Sequence, residues 1–150
     1  MIRRILSKDL IEKEPYQKWN AFVDLLCMTE FEELNDVQKT ASSIFWYNNE
    51  VENGGHMQYF LNLGSNHANH TLKALRLVKK DDYANILESA LMKFNCIDLN
   101  GIEDVEDYVE EALQDHFGEY DDKFYEVEND LVQTLEKYLD DFESEFIELK

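Results

Sequence analysis

Apolar side chains recur at intervals of three and four residues along nearly the whole chain, and sustained alternation is almost absent. That periodicity lays one face of a helix against a core and disfavours half-buried strands, so the sequence reads as an all-α protein. Only 1 proline and 5 glycines interrupt 150 residues, which leaves few positions where helices must stop. A chain of this length is expected to form a single compact domain, since a domain takes ~100–200 residues.

The stops divide the chain into about six or seven helices. Pro15 suits the first turn of one carrying Tyr16, Trp19, Phe22, Val23, Leu26 and Cys27 on its inward face. Asp36 is placed to cap a second, lined by Val37, Thr40, Ala41, Ile44, Phe45 and Asn48, which breaks at Gly54 and Gly55. A short third helix with Met57, Tyr59, Phe60 and Leu61 runs to Gly64, and a fourth carries Leu72, Leu75 and Val78. The fifth opens at Asp81 or Asp82 and ends near Asn95; the sixth spans about Glu103 to His116 with Val105, Tyr108, Val109, Ala112 and Leu113 inward. Gly118 reads as its stop. The last helix, from about Asp121 through Phe124, Leu131, Leu135, Tyr138 and Leu139, reads as the longest, with a bend near Phe142.

Charge is the unusual feature. The chain carries 33 acidic and 14 basic residues, a net −19. Residues 1–75 hold 10 acidic and 7 basic side chains, whereas residues 98–150 hold 20 acidic side chains against Lys123, Lys137 and Lys150. Direct nucleic-acid binding and attraction to an anionic membrane both rely on lysine and arginine, so neither is expected. No apolar run approaches the ~20 residues that span a bilayer. Ser7, Lys8 and Asp9 cut short the apolar segment after Arg3 and Arg4, so no signal peptide is read and the expected location is cytoplasmic. Cys27 and Cys96 have no CxxC companion and read as reduced, buried thiols.

Along the sixth helix Glu103, Asp104, Glu106, Asp107, Glu110, Glu111 and Asp115 take almost every position the apolar stripe leaves free. Like charges three or four residues apart repel by a few tenths of a kcal/mol per pair, so a sequence selected for stability alone would alternate them with lysine. Solubility needs a net charge of only roughly 2–8 in a small domain. Closely spaced carboxylates imitate a phosphate backbone, which carries one charge every ~3.4 Å per strand. A rigid acidic helix can therefore occupy a basic groove made for DNA. These seven residues are the candidate partner-binding set.

The stretch Trp46-Tyr47-Asn48-Asn49-Glu50-Val51-Glu52-Asn53-Gly54-Gly55-His56-Met57-Gln58-Tyr59-Phe60-Leu61-Asn62-Leu63-Gly64 is the least generic in the chain. Gly54 and Gly55 permit a tight corner, Asn53 can cap the next helix, and Glu50 can accept from backbone N–H groups there. Gln58 and Asn62, four apart, can bond to the same corner. Glu50, Asn53, Gln58 and Asn62 thus read either as a structural clamp or as the lining of a polar pocket. The stretch resembles the DNA-mimic-protein-like family, whose signature is Asn-Glu-Val, a polar spacer, Asn-Gly-Gly, then Gln-aromatic-Phe and an Asn before a Gly. The resemblance extends over about residues 19–146 and departs at His56, where the family generally carries an apolar residue. It implies an all-α, often dimeric protein, one characterised member of which occupies the DNA-binding surface of a transcription factor.

Three functions compete. An acidic decoy for a basic DNA-binding protein accounts for the charge asymmetry. An immunity-type inhibitor of a basic toxin or nuclease would use the same surface. A small metal-dependent enzyme would need Glu50, His56 and His67 or His70, but no HExxH, EF-hand, P-loop or GxSxG pattern is present, and neither a metal nor another cofactor is expected.

Overall fold

The computed structural model describes Met1–Lys150. In chain order its elements are β1 (Arg4–Leu6), α1 (Lys8–Lys13), α2 (Gln17–Met28), a 3-10 turn (Phe31–Glu33), α3 (Asp36–Leu77), α4 (Asp81–Phe94), α5 (Val105–Ala112), α6 (Gly118–Glu126), α7 (Leu131–Asp141), α8 (Glu143–Phe146) and β2 (Ile147–Leu149). The fold is all-α apart from the two three-residue strands. Packing gathers these elements into two units, Met1–Phe45 with Asp130–Lys150, and Trp46–Asn129.

The first unit buries Phe22, Leu25, Leu26, Leu131, Leu135, Leu139 and Phe146, with Phe22 and Phe146 meeting edge-to-face at 4.8 Å. β1 and β2 pair in parallel, Arg4 opposite Ile147 and Leu6 opposite Leu149. Neither strand is long enough to show a period of two, so the sequence gives no warning of them. Gln38, fully buried, donates from Nε2 to the carbonyls of Ile2 and Glu145, both at 2.7 Å. Its Oε1 accepts the Asn35 N–H at 3.1 Å while Asn35 Oδ1 accepts the Gln38 N–H at 2.9 Å. This reciprocal pair makes Asn35, rather than the expected Asp36, the cap of α3. Cys27 and Cys96 are both free, as expected, but both exposed. The buried stripe of α2 runs through Phe22, Leu25 and Leu26 and rotates Cys27 off it, and Cys96 lies beyond the end of α4.

The chain enters the second unit within α3. Helical geometry fails at Gly54, at Gly55 (φ 74°) and at Gly64 (φ 79°), the positions expected from the sequence, so α3 is three arms rather than one rod. Their core holds Tyr47, Val51, Tyr59, Phe60 and Leu75 together with Tyr83 and Leu87 of α4, Phe117 and Phe124. Phe60 stacks on Phe94 at 4.6 Å, and Phe124 meets Tyr47 and Tyr83 edge-on at 5.6 and 5.4 Å.

The long C-terminal helix expected from the sequence is instead α6, α7 and α8. The seven-residue step from Phe124 to Leu131 fits one continuous stripe, but Val127 turns extended (ψ 129°) and α6 stops there. The Glu128 carbonyl accepts the Tyr83 hydroxyl at 3.3 Å, and Asn129 Nδ2 donates to Asn48 Oδ1 at 3.0 Å and to Glu52. Those bonds use the polar run as a connection. The bend expected near Phe142 is present, since Phe142 separates α7 from α8. Gly118 starts α6 rather than stopping the helix before it.

Candidate acidic interaction surface

α5 is shorter than the helix expected over about Glu103 to His116. Asp104 caps it, accepting the Asp107 N–H at 2.9 Å, and the Asp107 carboxylate accepts the Glu103 N–H at 3.0 Å. Carboxylates in a first turn also oppose the positive end of the helix dipole. The helix runs out after Ala112, and Asp115 takes a left-handed conformation (φ 51°) that reverses the chain towards α6. Its carboxylate lies where a side chain on Gly118 would sit, a Cβ there falling 2.2 Å from Oδ2.

The apolar stripe of this helix does not face inward as expected. No residue of α5 is buried, and Val105, Val109 and Leu113 are 79%, 50% and 81% exposed. The pattern of one apolar face is present, but the aromatic core of this unit, where Phe60 meets Phe94 and Phe117, does not cover it. Periodicity reports amphipathicity; it does not report what covers the apolar face.

The seven candidate carboxylates divide by what they touch. Asp104 and Asp107 are engaged at the helix start, and Glu111 Oε2 lies 3.2 Å from His116 Nε2. His116 thus pairs with a side chain of the last turn of α5. Glu103, Glu106, Glu110 and Asp115 are exposed, and none of them has a cationic partner. Between Lys93 and Lys123 the chain contains no lysine or arginine, and Lys123 is held by Glu119 at 2.9 Å. In the first unit Glu143 pairs with Lys18, Glu148 with Arg3 and Asp141 with Lys137.

The second candidate set closes on itself. Gln58 Nε2 and Asn62 Nδ2 both donate to Glu50 Oε2 at 2.8 Å, and Asn53 Nδ2 donates to Gln58 Oε1 at 3.3 Å. Gly54 is needed for this arrangement, because a Cβ there would lie 2.1 Å from Gln58 Oε1. Glu50 therefore accepts from side-chain amides rather than from the backbone N–H groups expected. Asp121 of α6 takes the backbone role: its Oδ1 accepts the His56 N–H at 2.8 Å and lies 2.7 Å from His56 Nδ1. Gly55 makes room, since a Cβ there would fall 2.5 Å from Asp121 Oδ2.

His56 Nε2 completes a chain by meeting the Tyr47 hydroxyl at 2.9 Å, with both residues fully buried. A carboxylate only accepts, so in the neutral ring Nδ1 carries the proton and Nε2 receives the Tyr47 hydroxyl. Burial first, then the neighbouring Tyr59 and Asp121, holds the Tyr47 phenol far above its ordinary range, which keeps it a donor. Asp, His and Tyr in line resemble a proton relay, but neither His56 nor Tyr47 reaches solvent where a substrate could meet it. The arrangement fastens the glycine corner of α3 to α6. The sequence offered Asp121 no distinction from the other acidic residues around it; His56 in a place for an apolar residue was the one signal that a polar partner had to be present.

His67 lies apart from this chain, its Nδ1 2.9 Å from the Tyr59 hydroxyl, and His70 is exposed. No three His, Cys, Asp or Glu side chains converge on one point. No helix is long and apolar enough to cross a membrane.

No curated protein and no solved structure matches the chain. A family model does, over residues 32–142, a span that takes in the glycine corner, α5 and α6 and is somewhat narrower than the resemblance read from about 19–146. With that match over more than half its length, the chain belongs to the family of DMP19-like proteins.

Proposed function

We propose that the chain is a non-catalytic acidic decoy that occupies the DNA-binding surface of a basic protein, such as a transcription regulator. The observation that carries this reading is the exposed, uncompensated row Glu103, Glu106, Glu110 and Asp115 in a stretch of 29 residues, 94–122, without a lysine or arginine. Glu106 and Glu110 stand one helical turn apart, about 6 Å along the axis. That spacing lets guanidinium and ammonium groups evolved for phosphates bind carboxylates instead. Complex formation then releases counterions from the acidic face and weakens steeply with salt. Family membership supports the reading through the fold and the motif it covers.

Replacing Glu103, Glu106 and Glu110 by glutamine keeps side-chain size and removes three charges. Immobilised wild-type protein is expected to retain a basic DNA-binding protein from lysate of its own source cell at about 50 mM salt and release it on a salt gradient. The triple variant is expected to lose that protein at a markedly lower salt step. Equal retention by both forms contradicts the reading. A retained nuclease or toxin that duplex DNA does not displace would favour the immunity-type inhibitor.

A further inference from the structure

The α5 face carries more than charge. Val105, Val109 and Leu113 follow one another at four-residue spacing and form an exposed apolar ridge flanked by Glu106 and Glu110. Beside the ridge lies an open cleft of about 490 Å³ lined by Val105 together with Leu61, Leu99, Ile102 and Tyr108. Glu103, Asp104 and Asn62 add polar groups to its lining. An apolar strip of this kind, edged by polar groups, marks a surface that is covered in use. A bare copy of a phosphate backbone has no need of it.

Charge decides what covers it. A second copy of this chain would set the same seven carboxylates of residues 103–115 against their own kind, with no lysine or arginine between Lys93 and Lys123 to relieve them. An apolar groove with an acidic margin matches a helix that carries an apolar stripe between rows of lysine and arginine. We infer that α5 and the adjoining cleft are a docking groove for a basic amphipathic helix. The ridge takes the apolar stripe of that helix and the carboxylates take its flanking cations. The inference rests on the decoy reading for the sign of the partner's charge and adds the shape of the element recognised.

The test uses fluorescence anisotropy with two labelled helical peptides of about 18 residues, alike in lysine content. One has a leucine stripe; in the other alanine replaces those leucines, which keeps helix propensity. Wild-type protein is expected to bind the leucine peptide at least about tenfold more tightly than the alanine peptide, the value of burying about one apolar side chain. Val109→Ser with Leu113→Ser should abolish that difference and leave alanine-peptide binding unchanged. Glu106→Gln with Glu110→Gln should weaken both peptides. Equal affinity for the two peptides, or a leucine preference that survives the serine pair, overturns the groove. The decoy reading survives that result if the glutamine pair still weakens both, and falls with it if the glutamine pair changes neither. A sedimenting dimer that the serine pair dissociates would assign the ridge to a second copy and likewise overturn the groove.

Discussion

Asp121 shows how much one carboxylate can organise: Oδ1 takes both the backbone N–H and the ring of His56, and Gly55 leaves room for Oδ2 beside it. A second buried network lies on the last arm of α3. The Tyr59 hydroxyl is 2.9 Å from both His67 Nδ1 and Thr71 Oγ1, and burial raises the Tyr59 phenol so that it stays a donor. Thr71 Oγ1 in turn donates to the His67 carbonyl at 3.1 Å, which ties the ring into a buried network that favours its neutral form. Burial first, and the neighbouring His70 second, push its pKa down from 6.5 to about 4. Between those two values the unfolded chain binds more protons than the folded one, so this stability is complete above about 6.5 and is lost as pH falls towards 4. His67→Asn, which keeps an acceptor near the Nδ1 position, should remove the dependence. Denaturant unfolding should show the wild type losing on the order of 2 kcal/mol more than the variant between pH 7 and about 4. Parallel losses in the two proteins would contradict this account of His67.

At the scale of elements, α2, the three arms of α3 and α4 were legible because their starts and stops are written in residue types that act locally. Gly55 and Gly64 stop helices by adopting positive φ, and the buried positions of α4 repeat at three and four. The C-terminal third was less legible for the opposite reason. What ends α6 is a set of distant bonds, from Tyr83 to the Glu128 carbonyl and from Asn129 to Asn48, and no local pattern announces them. The same holds for β1 and β2, which depend on pairing across the whole length of the chain. Within the candidate site the acidic positions were readable from the sequence, whereas the exposure of Val105, Val109 and Leu113 was not, because a covered and an uncovered stripe have the same spacing. That exposure has its own consequence. Val109→Ser with Leu113→Ser should change stability by no more than about 0.5 kcal/mol per site, against roughly 2–5 for truncating a buried Leu. Chemical denaturation measures it directly, and a loss in the larger range would mean that the stripe is packed in the folded protein.

For the molecule as a whole, the division of charge matters more than its total. The first unit, although it contains acidic α7 and α8, ties Glu143, Glu148, Asp24 and Asp141 to Lys18, Arg3, Arg4 and Lys137. The second unit leaves Glu103, Glu106, Glu110 and Asp115 open to solvent and without a cationic partner. Self-repulsion destabilises a compact acidic body, and pairing relieves it where it is present. Leaving these four unrelieved concentrates negative potential around α5, which on the proposed reading steers a basic partner towards that helix. The most direct test is competition. With the protein immobilised and its basic partner bound at about 50 mM salt, unlabelled duplex DNA is titrated in while the bound fraction is followed. The account predicts full displacement, at DNA concentrations that track the partner's own affinity for DNA. A partner that holds DNA and this protein at the same time would contradict it.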